Sequence, residues 1–516
     1  MIRFNPINYI PKVNFKASQA LPPQNAPIHK LENDKFELSI GYVNDIHGQT
    51  NNQLRIISGI QGDIRLSAGD DQIGNQQNHS INKTTVDFLK AANITARALG
   101  NHEMDTTVQD FCELNKGHQT QVLAINFRES EHAKNKTEFN QIKKNSFITE
   151  VKGEKIGIIG ACPDDIKDRI ISPEDLADCE VDDYATTLEK IKQEAERLKA
   201  QGINKIFLLS HLGHDKNKDL AQKINGIDVI IGGHTHELLK DIKEGENLLY
   251  SPNGEPVILT QAGKDGHHFG LLNLEFNQNG TITKAQNNIQ LTRNYPKNYV
   301  YEYLSNQILG PAEIVGEVKS VVEPPENNLI NENAHANFIC DAMKEATNAD
   351  IGIWNNAGIR NVFHVGKINN REVKDIAPFA DDMTVVPMSE KELVDTFNLV
   401  INRTFSTEGN KPGLYAVSGL TYTVNKTTKS LAAMNFVDKQ GNIIPIDINN
   451  PNPNKIFKVA ADKFITSGGD NNPIFNKIKD AYEILPISKN VMVCEYLKQQ
   501  KEPIEINQTG RITIIE

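Results

Sequence analysis

The chain has 516 residues, 38% hydrophobic and 23% charged, with a formal net charge of −11. That length exceeds what one hydrophobic core holds and points to two or three domains, while the composition excludes a disordered or fibrous chain. The acidic balance argues against a nucleic-acid polymer or an anionic membrane as the main partner, because both select a basic face, but it admits a small anion wherever bound cations reverse the local charge.

In residues 1–34, prolines, asparagines and lysines interrupt every apolar run. No signal-peptide core can form there, so these residues read as a flexible leader and the location as cytoplasmic. Nowhere does the chain approach the ~20 consecutive apolar residues of a membrane span. The five cysteines (Cys112, Cys162, Cys179, Cys340 and Cys494) form no CxxC and read as buried free thiols. From residue 35 onward short apolar strands alternate with polar helices, which predicts an α/β core. Phe36, Leu38, Ile40 and Tyr42 alternate and lead to Asn44-Asp45. Ile64 and Leu66 lead to Gly69-Asp70, and Thr95 to Leu99 lead to Gly100-Asn101-His102. Ile206 to Leu209 lead to Ser210-His211, and Val229 to Ile231 lead to Gly232-Gly233-His234. Leu188, Ile191, Ala195 and Leu198 predict a helix over 182–200, stopped by Gly202. A further helix is expected over 299–309, a break at Pro324-Pro325, and a helix over 331–343. The expected domains are 35–294 and 331–516, joined by a linker with a hinge helix over 295–330.

Each polar cluster follows a strand, and ligand sites of open α/β sheets form at the carboxyl ends of strands. Taken singly, the motifs are ordinary. Gly-Asp is turn chemistry, and Gly-Asn-His can cap a helix. Together, Asp45, His47, Asp70, Asn101, His211, His234 and His236 supply carboxylate, amide and imidazole donors. That mixed set suits divalent zinc, manganese, cobalt, iron or magnesium. Phosphate hydrolysis is well served by two such ions ~3.5–4 Å apart, and Asp70, lying between the two halves of the set, is the natural bridge. Two ions with two carboxylates leave the site at about +2, enough to attract a phosphate.

The ordered set Asp45-x-His47, Gly69-Asp70, Gly100-Asn101-His102-Glu103, His211 and Gly233-His234-Thr235-His236 resembles the calcineurin-like metallophosphoesterases. The form GNHEMD is similar to their 5′-nucleotidase and UDP-sugar hydrolase branch. The resemblance implies an N-terminal four-layer α/β/β/α metallophosphoesterase sandwich followed by a C-terminal α/β substrate-binding domain. It assigns one metal to Asp45, His47, Asp70 and His236, and the other to Asp70, Asn101, His211 and His234. It gives His102 a place beside the phosphate as the transition-state stabiliser, with Asp105 as its carboxylate partner. In the second half, Asn355-Asn356-Ala357-Gly358-Ile359-Arg360, Pro378-Phe379 and Phe464-x4-Gly469-Asp470 resemble the family's nucleoside-binding motifs. By that resemblance Phe379 and Phe464 stack the base, Asp470 takes the ribose hydroxyls, and Asn355, Gly358 and Arg360 line the substrate.

There are departures. Asn356 and Ala357 replace glycines and are expected to add side chains near the substrate. Asp381 stands where asparagine or glycine is usual, and the 331–343 helix offers Glu332 and His335 in place of phosphate-binding arginines. The expected activity is a two-metal, 5′-nucleotidase-like release of phosphate from a nucleotide. The alternatives are a 2′,3′-cyclic nucleotide phosphodiesterase with 3′-nucleotidase activity, a UDP-sugar hydrolase, or, in another class, a non-catalytic nucleoside-binding protein. Asp71, His214, His267 and His268 are expected to play no part, with Asp71 facing solvent or capping a turn.

Overall fold

A computed structural model describes residues 35–74, 78–134, 136–169, 176–322, 327, 329–379, 381–406, 413–469, 472–478 and 483–516. The expected leader and Asp470 lie outside the described residues, as does the Pro324-Pro325 break.

The N-terminal part is built on two stacked sheets. The first runs Ile282–Leu291, His268–Asn277, Lys35–Val43, Ile64–Ser67, Ala96–Ala98, Gln121–Leu123 and Lys143–Lys144 in spatial order. The second runs Leu248–Tyr250, Pro256–Thr260, Val229–Gly232, Ile206–Ser210, Glu154–Ala161 and Ser146–Val151. Central strands are parallel, and the outer strands are antiparallel except Lys143–Lys144, which pairs parallel to Gln121–Leu123. Every residue of Ile206–Ser210 and Val229–Gly232 is buried, as expected of parallel strands covered on both faces. Phe36, Leu38, Ile40 and Tyr42 turn one face of their strand onto Ile158, Phe207 and Ile231 of the second sheet. The second sheet's other face (Ile159, Leu208, Ile230) packs on the helices Tyr184–Ala200 and His214–Lys223. The first sheet is covered by helices Thr50–Gly59 and His79–Ala91. These four layers are the expected α/β/β/α sandwich.

The helix expected over 182–200 begins at Tyr184, because the Asp183 side chain accepts the Thr186 N–H and caps it. The 299–309 helix is present, and its Tyr301 is buried among the N-terminal helices, its hydroxyl donating to the Thr84 carbonyl. All five cysteines are free and buried. No helix among the described residues is long and apolar enough to cross a membrane.

The C-terminal part is also α/β. Its five-stranded sheet runs Tyr415–Ser418, Ile351–Asn355, Ile456–Asp462, Asp382–Ser389 and Glu483–Ser488. A four-stranded and a three-stranded sheet flank it, and all three share one core. The helix expected over 331–343 spans Ala334–Thr347, starting late because Asn333 caps it and ending at Asn348 in the left-handed conformation.

The two parts touch directly. Gln49 Nε2 donates to the Asp375 carbonyl at 2.7 Å, and Asn51 Nδ2 to the Asp375 carboxylate at 2.7 Å. Asn361 Nδ2 donates to Gln49 Oε1 at 3.0 Å.

Candidate active site

Parallel pairing sets Tyr42 beside Leu66 and Val43 beside Ser67, and the ladder continues past the strand ends. Asp45, His47 and Gly48 donate their N–H groups to the carbonyls of Gly69, Asp70 and Asp71 at 2.9, 2.9 and 2.8 Å. Two ligand-bearing loops are thereby zipped together. In the second sheet Ser210 lies abreast of Gly232, which brings His211 and His234 to the same rim. Close approach needs glycine here: a Cβ on Gly100 would sit 2.1 Å from Asp70 Oδ1, and one on Gly233 would sit 2.7 Å from His211 Nδ1.

Asp45, His47, Asp70, His234 and His236 all have φ between +49° and +80°. Non-glycine residues occupy that region at a cost of order 1–3 kcal/mol each, and such strain concentrates at functional sites.

Three sets of donor atoms converge: Asp45, His47 and His236; His47, Asp70 and His102; Asp70, His211 and His234. Within each set the atoms lie within 4.8 Å of one another. His211 Nδ1 lies 2.7 Å from the Ala68 carbonyl, which only an N–H can satisfy, so in the neutral ring Nε2 carries the lone pair. That Nε2 sits 2.9 Å from Asp70 Oδ2. Two acceptors face to face at that distance require positive charge between them. Burial opposes charge on His211, yet Asp70 and Asp45 push it up to about 10, so the carboxylates demand a cation that a proton or a divalent ion can supply. His47 Nε2, His211 Nε2 and Asn101 Oδ1 are buried with no hydrogen-bond partner. The nitrogen and oxygen donors fit borderline divalent ions, and the orphaned His47 and His211 atoms belong to the residues of the converging sets.

His102 Nδ1 and Asp105 Oδ2 are 2.5 Å apart, and the His102 N–H donates to Asp70 Oδ1 at 2.8 Å. Burial works against its charge, but Asp70 and Asp105 push His102 up to about 9. The structure thus brings the expected dyad against the donor cluster.

Asp71 overturns its expectation. It is fully buried, and burial together with the Glu103 carboxylate pushes it up to about 7. Its Oδ1 accepts from Ser67 Oγ at 2.7 Å, which keeps it inside the loop rather than at the surface.

In the C-terminal part Asn355, Gly358 and Arg360 are buried. The Arg360 guanidinium lies 5.8 Å from the Phe379 ring, and its Nε donates to Asp265 at 3.0 Å, so the C-terminal part reaches the donor cluster. Phe464 is 40% exposed, free to present a face to a ligand. Asn356 does not add a side chain to the cleft: it is fully buried, and its Nδ2 donates to the Asn331 carbonyl at 3.0 Å. Glu332 accepts from Asn337 and from the backbone of Arg511, while His335 bonds the Val322 carbonyl and the Phe363 N–H. Neither is available to a phosphate. A separate cavity of about 550 Å³ is lined by Arg128, Lys143 and Lys190, among others, but by none of the donor residues.

Two supports escaped sequence reasoning. Glu103 stands inside the Gly100-Asn101-His102-Glu103 motif, but three of its backbone partners lie in the loop of Asp70. Asp265, the partner of His47 and Arg360, belongs to no motif at all.

Residues 38–238 match the calcineurin-like phosphoesterase family, and residues 315–480 match the 5′-nucleotidase C-terminal domain. The chain belongs to the 5′-nucleotidase family of calcineurin-like metallophosphoesterases. Among similar family members is the trifunctional nucleotide phosphoesterase protein YfkN of Bacillus subtilis, 25% identical over 92% of this chain; the chain spans 35% of that protein's length. An apyrase of Tabanus yao is 24% identical over 95% of this chain and 96% of its own length. The crystal structure of a 5′-nucleotidase precursor from Thermus thermophilus shares the fold, with a TM-score of 0.73 and 23% identity over 93% of this chain and 99% of that one.

Proposed function

We propose that this chain hydrolyses nucleotide phosphomonoesters at a two-metal centre, releasing phosphate and a nucleoside. The observation that carries the reading is the sharing of Asp70 between two convergent donor sets, His47–Asp70–His102 and Asp70–His211–His234. Asp45, His47, Asp70 and His236 would hold one divalent ion, and Asp70, Asn101, His211 and His234 the other. When bound, two such ions supply Lewis acidity and a water ionised near neutral pH.

The chain's own residues do the rest. His102, held by Asp105 and carrying its proton, stands beside the reacting phosphoryl group and stabilises the charge that grows on it. Arg360 supplies a guanidinium from the C-terminal part, suited to phosphate oxygens. Phe379 and Phe464 offer flat faces to the base, each stacking contact worth roughly 1–3 kcal/mol, and Asn355 and Gly358 line the nucleoside. A cyclic 2′,3′-phosphodiester is the second reading. It is favoured by the occupation of Glu332 and His335 within the C-terminal part, since a monoanionic diester needs fewer cations than a dianionic monoester.

Product analysis separates the readings: adenosine and phosphate from AMP, a nucleoside monophosphate from a 2′,3′-cyclic nucleotide, and UMP with a sugar 1-phosphate from a UDP-sugar. AMP as the best substrate supports the first. His102→Ala should lower kcat by at least about a hundredfold with metal content retained. A His102→Ala enzyme of wild-type rate, or a wild-type protein inert with manganese, zinc and cobalt, contradicts the proposal.

A further inference from the structure

Asp265 sits in the turn that precedes the His268–Asn277 strand. It is fully buried. Its backbone is held in the left-handed region at φ +55° by two bonds: its N–H donates to the Asp45 carbonyl at 2.6 Å, and its carbonyl accepts from Asn52 Nδ2 at 2.8 Å. A strained, over-determined backbone at a buried acid places one group accurately. That group is the carboxylate. Its Oδ1 lies 2.9 Å from His47 Nδ1 and 3.0 Å from Arg360 Nε. Lys264 Nζ lies 3.7 Å from its Oδ2. One oxygen therefore serves an imidazole of the N-terminal domain and a guanidinium of the C-terminal domain.

We propose that Asp265 is a positioning residue for both halves of the site, fixing the tautomer of His47 and the aim of Arg360. By accepting from His47 Nδ1–H, it leaves the Nε2 lone pair directed toward Asp45 and Asp70, 3.9 and 3.7 Å away. Arg360 Nη2 is also 2.6 Å from His47 Nδ1. That contact becomes a hydrogen bond only if Nδ1 is bare, which would move the ring proton to Nε2 and remove its lone pair. The Asp265 carboxylate, which can only accept, decides for Nδ1–H, and it holds Arg360 through Nε. The Arg360 arm of this inference rests on the proposed function; the His47 arm does not.

The test compares wild type, Asp265→Asn, Arg360→Ala and the double variant. Manganese affinity, measured by titration calorimetry without substrate, should fall roughly 10–100-fold in Asp265→Asn, the usual cost of removing a carboxylate behind a ligating histidine. Arg360→Ala should stay within about threefold of wild type. In steady state each single variant should raise KM for the best nucleotide. The double variant should raise it by clearly less than the product of the two, because the residues act through one contact. A manganese affinity in Asp265→Asn within about threefold of wild type overturns the proposal, as do KM effects that multiply. If Asp265→Asn does not fold, Asp265→Glu, which keeps the charge but displaces it, should lose at least about threefold in affinity, and an unchanged affinity there is equally fatal. A wild-type protein that binds manganese but hydrolyses no nucleotide defeats the proposed function, leaving the calorimetric arm to judge Asp265 alone.

Discussion

The Glu103 carboxylate accepts the backbone N–H groups of Asp70, Asp71, Gln72 and Gly100 at 3.0, 2.9, 3.1 and 2.8 Å. Buried Arg97 adds a contact at 3.3 Å. One side chain thus ties the loop carrying Asp70 to the loop carrying Asn101 and His102. Glu103→Gln turns amide hydrogens toward donors and removes the nearer of the two carboxylates facing Arg97, so it should cost about 3–5 kcal/mol of stability. Thermal unfolding measures the cost, and metal analysis should show fewer ions per chain; an unchanged Tm would contradict the assigned role. At this scale the donor residues that converge were legible in the sequence because each follows an apolar strand and carries its own donor atom. Glu103, Asp265 and the burial of Asp71 were not, because the contacts that decide them, from the 70–72 loop to Glu103 and from His47 and Arg360 to Asp265, join segments 30 or more residues apart and leave no local pattern.

Among elements, the strands that end in the donor loops were readable from alternation and apolar runs; the helix start at 299 was met, and those at 182 and 331 were early by the two or three residues that side-chain caps decide. The substrate clamp shows what pattern alone could not reveal. Lys489, fully buried, donates to the Phe379 carbonyl and to Asp462 Oδ2, both at 2.8 Å. Asp462 in turn caps the Lys463–Thr466 helix that carries Phe464. A single ammonium group therefore staples the two segments that present the proposed base-stacking rings. Lys489→Met should raise KM for a nucleotide at least about fivefold, the low end of a lost stacking contact. Glycerol phosphate, which has no base to stack, should keep its KM. Equal losses on both substrates would show that the staple supports the whole domain rather than the clamp.

At the scale of the whole molecule, the domains meet through Asp375, whose carboxylate lies against Asn51 and is pushed up to about 6 by burial. The sign follows from linkage. An aspartate unfolds to an ordinary pKa of about 3.9, so between about pH 4 and 6 the folded chain holds a proton that the unfolded chain releases. The stability tied to that proton is full below about pH 4 and is lost as pH rises through about 6. The Tm of Asp375→Asn minus that of wild type should therefore grow between pH 4 and 6 and stay level above it; parallel curves would contradict the burial of this charge. Motifs in each half led to the expectation of one shared site, and Arg360 does meet Asp265 beside His47. The contact between them was not, because Gln49, Asn51, Asn361 and Asp375 are ordinary polar residues in sequence. The account as a whole depends on two divalent ions sharing Asp70. Metal analysis of the saturated protein, combined with anomalous diffraction, tests this most directly. Two ions per chain with Asp70 contacting both is the expected result; one ion at saturation, or two with Asp70 remote from either, would contradict it.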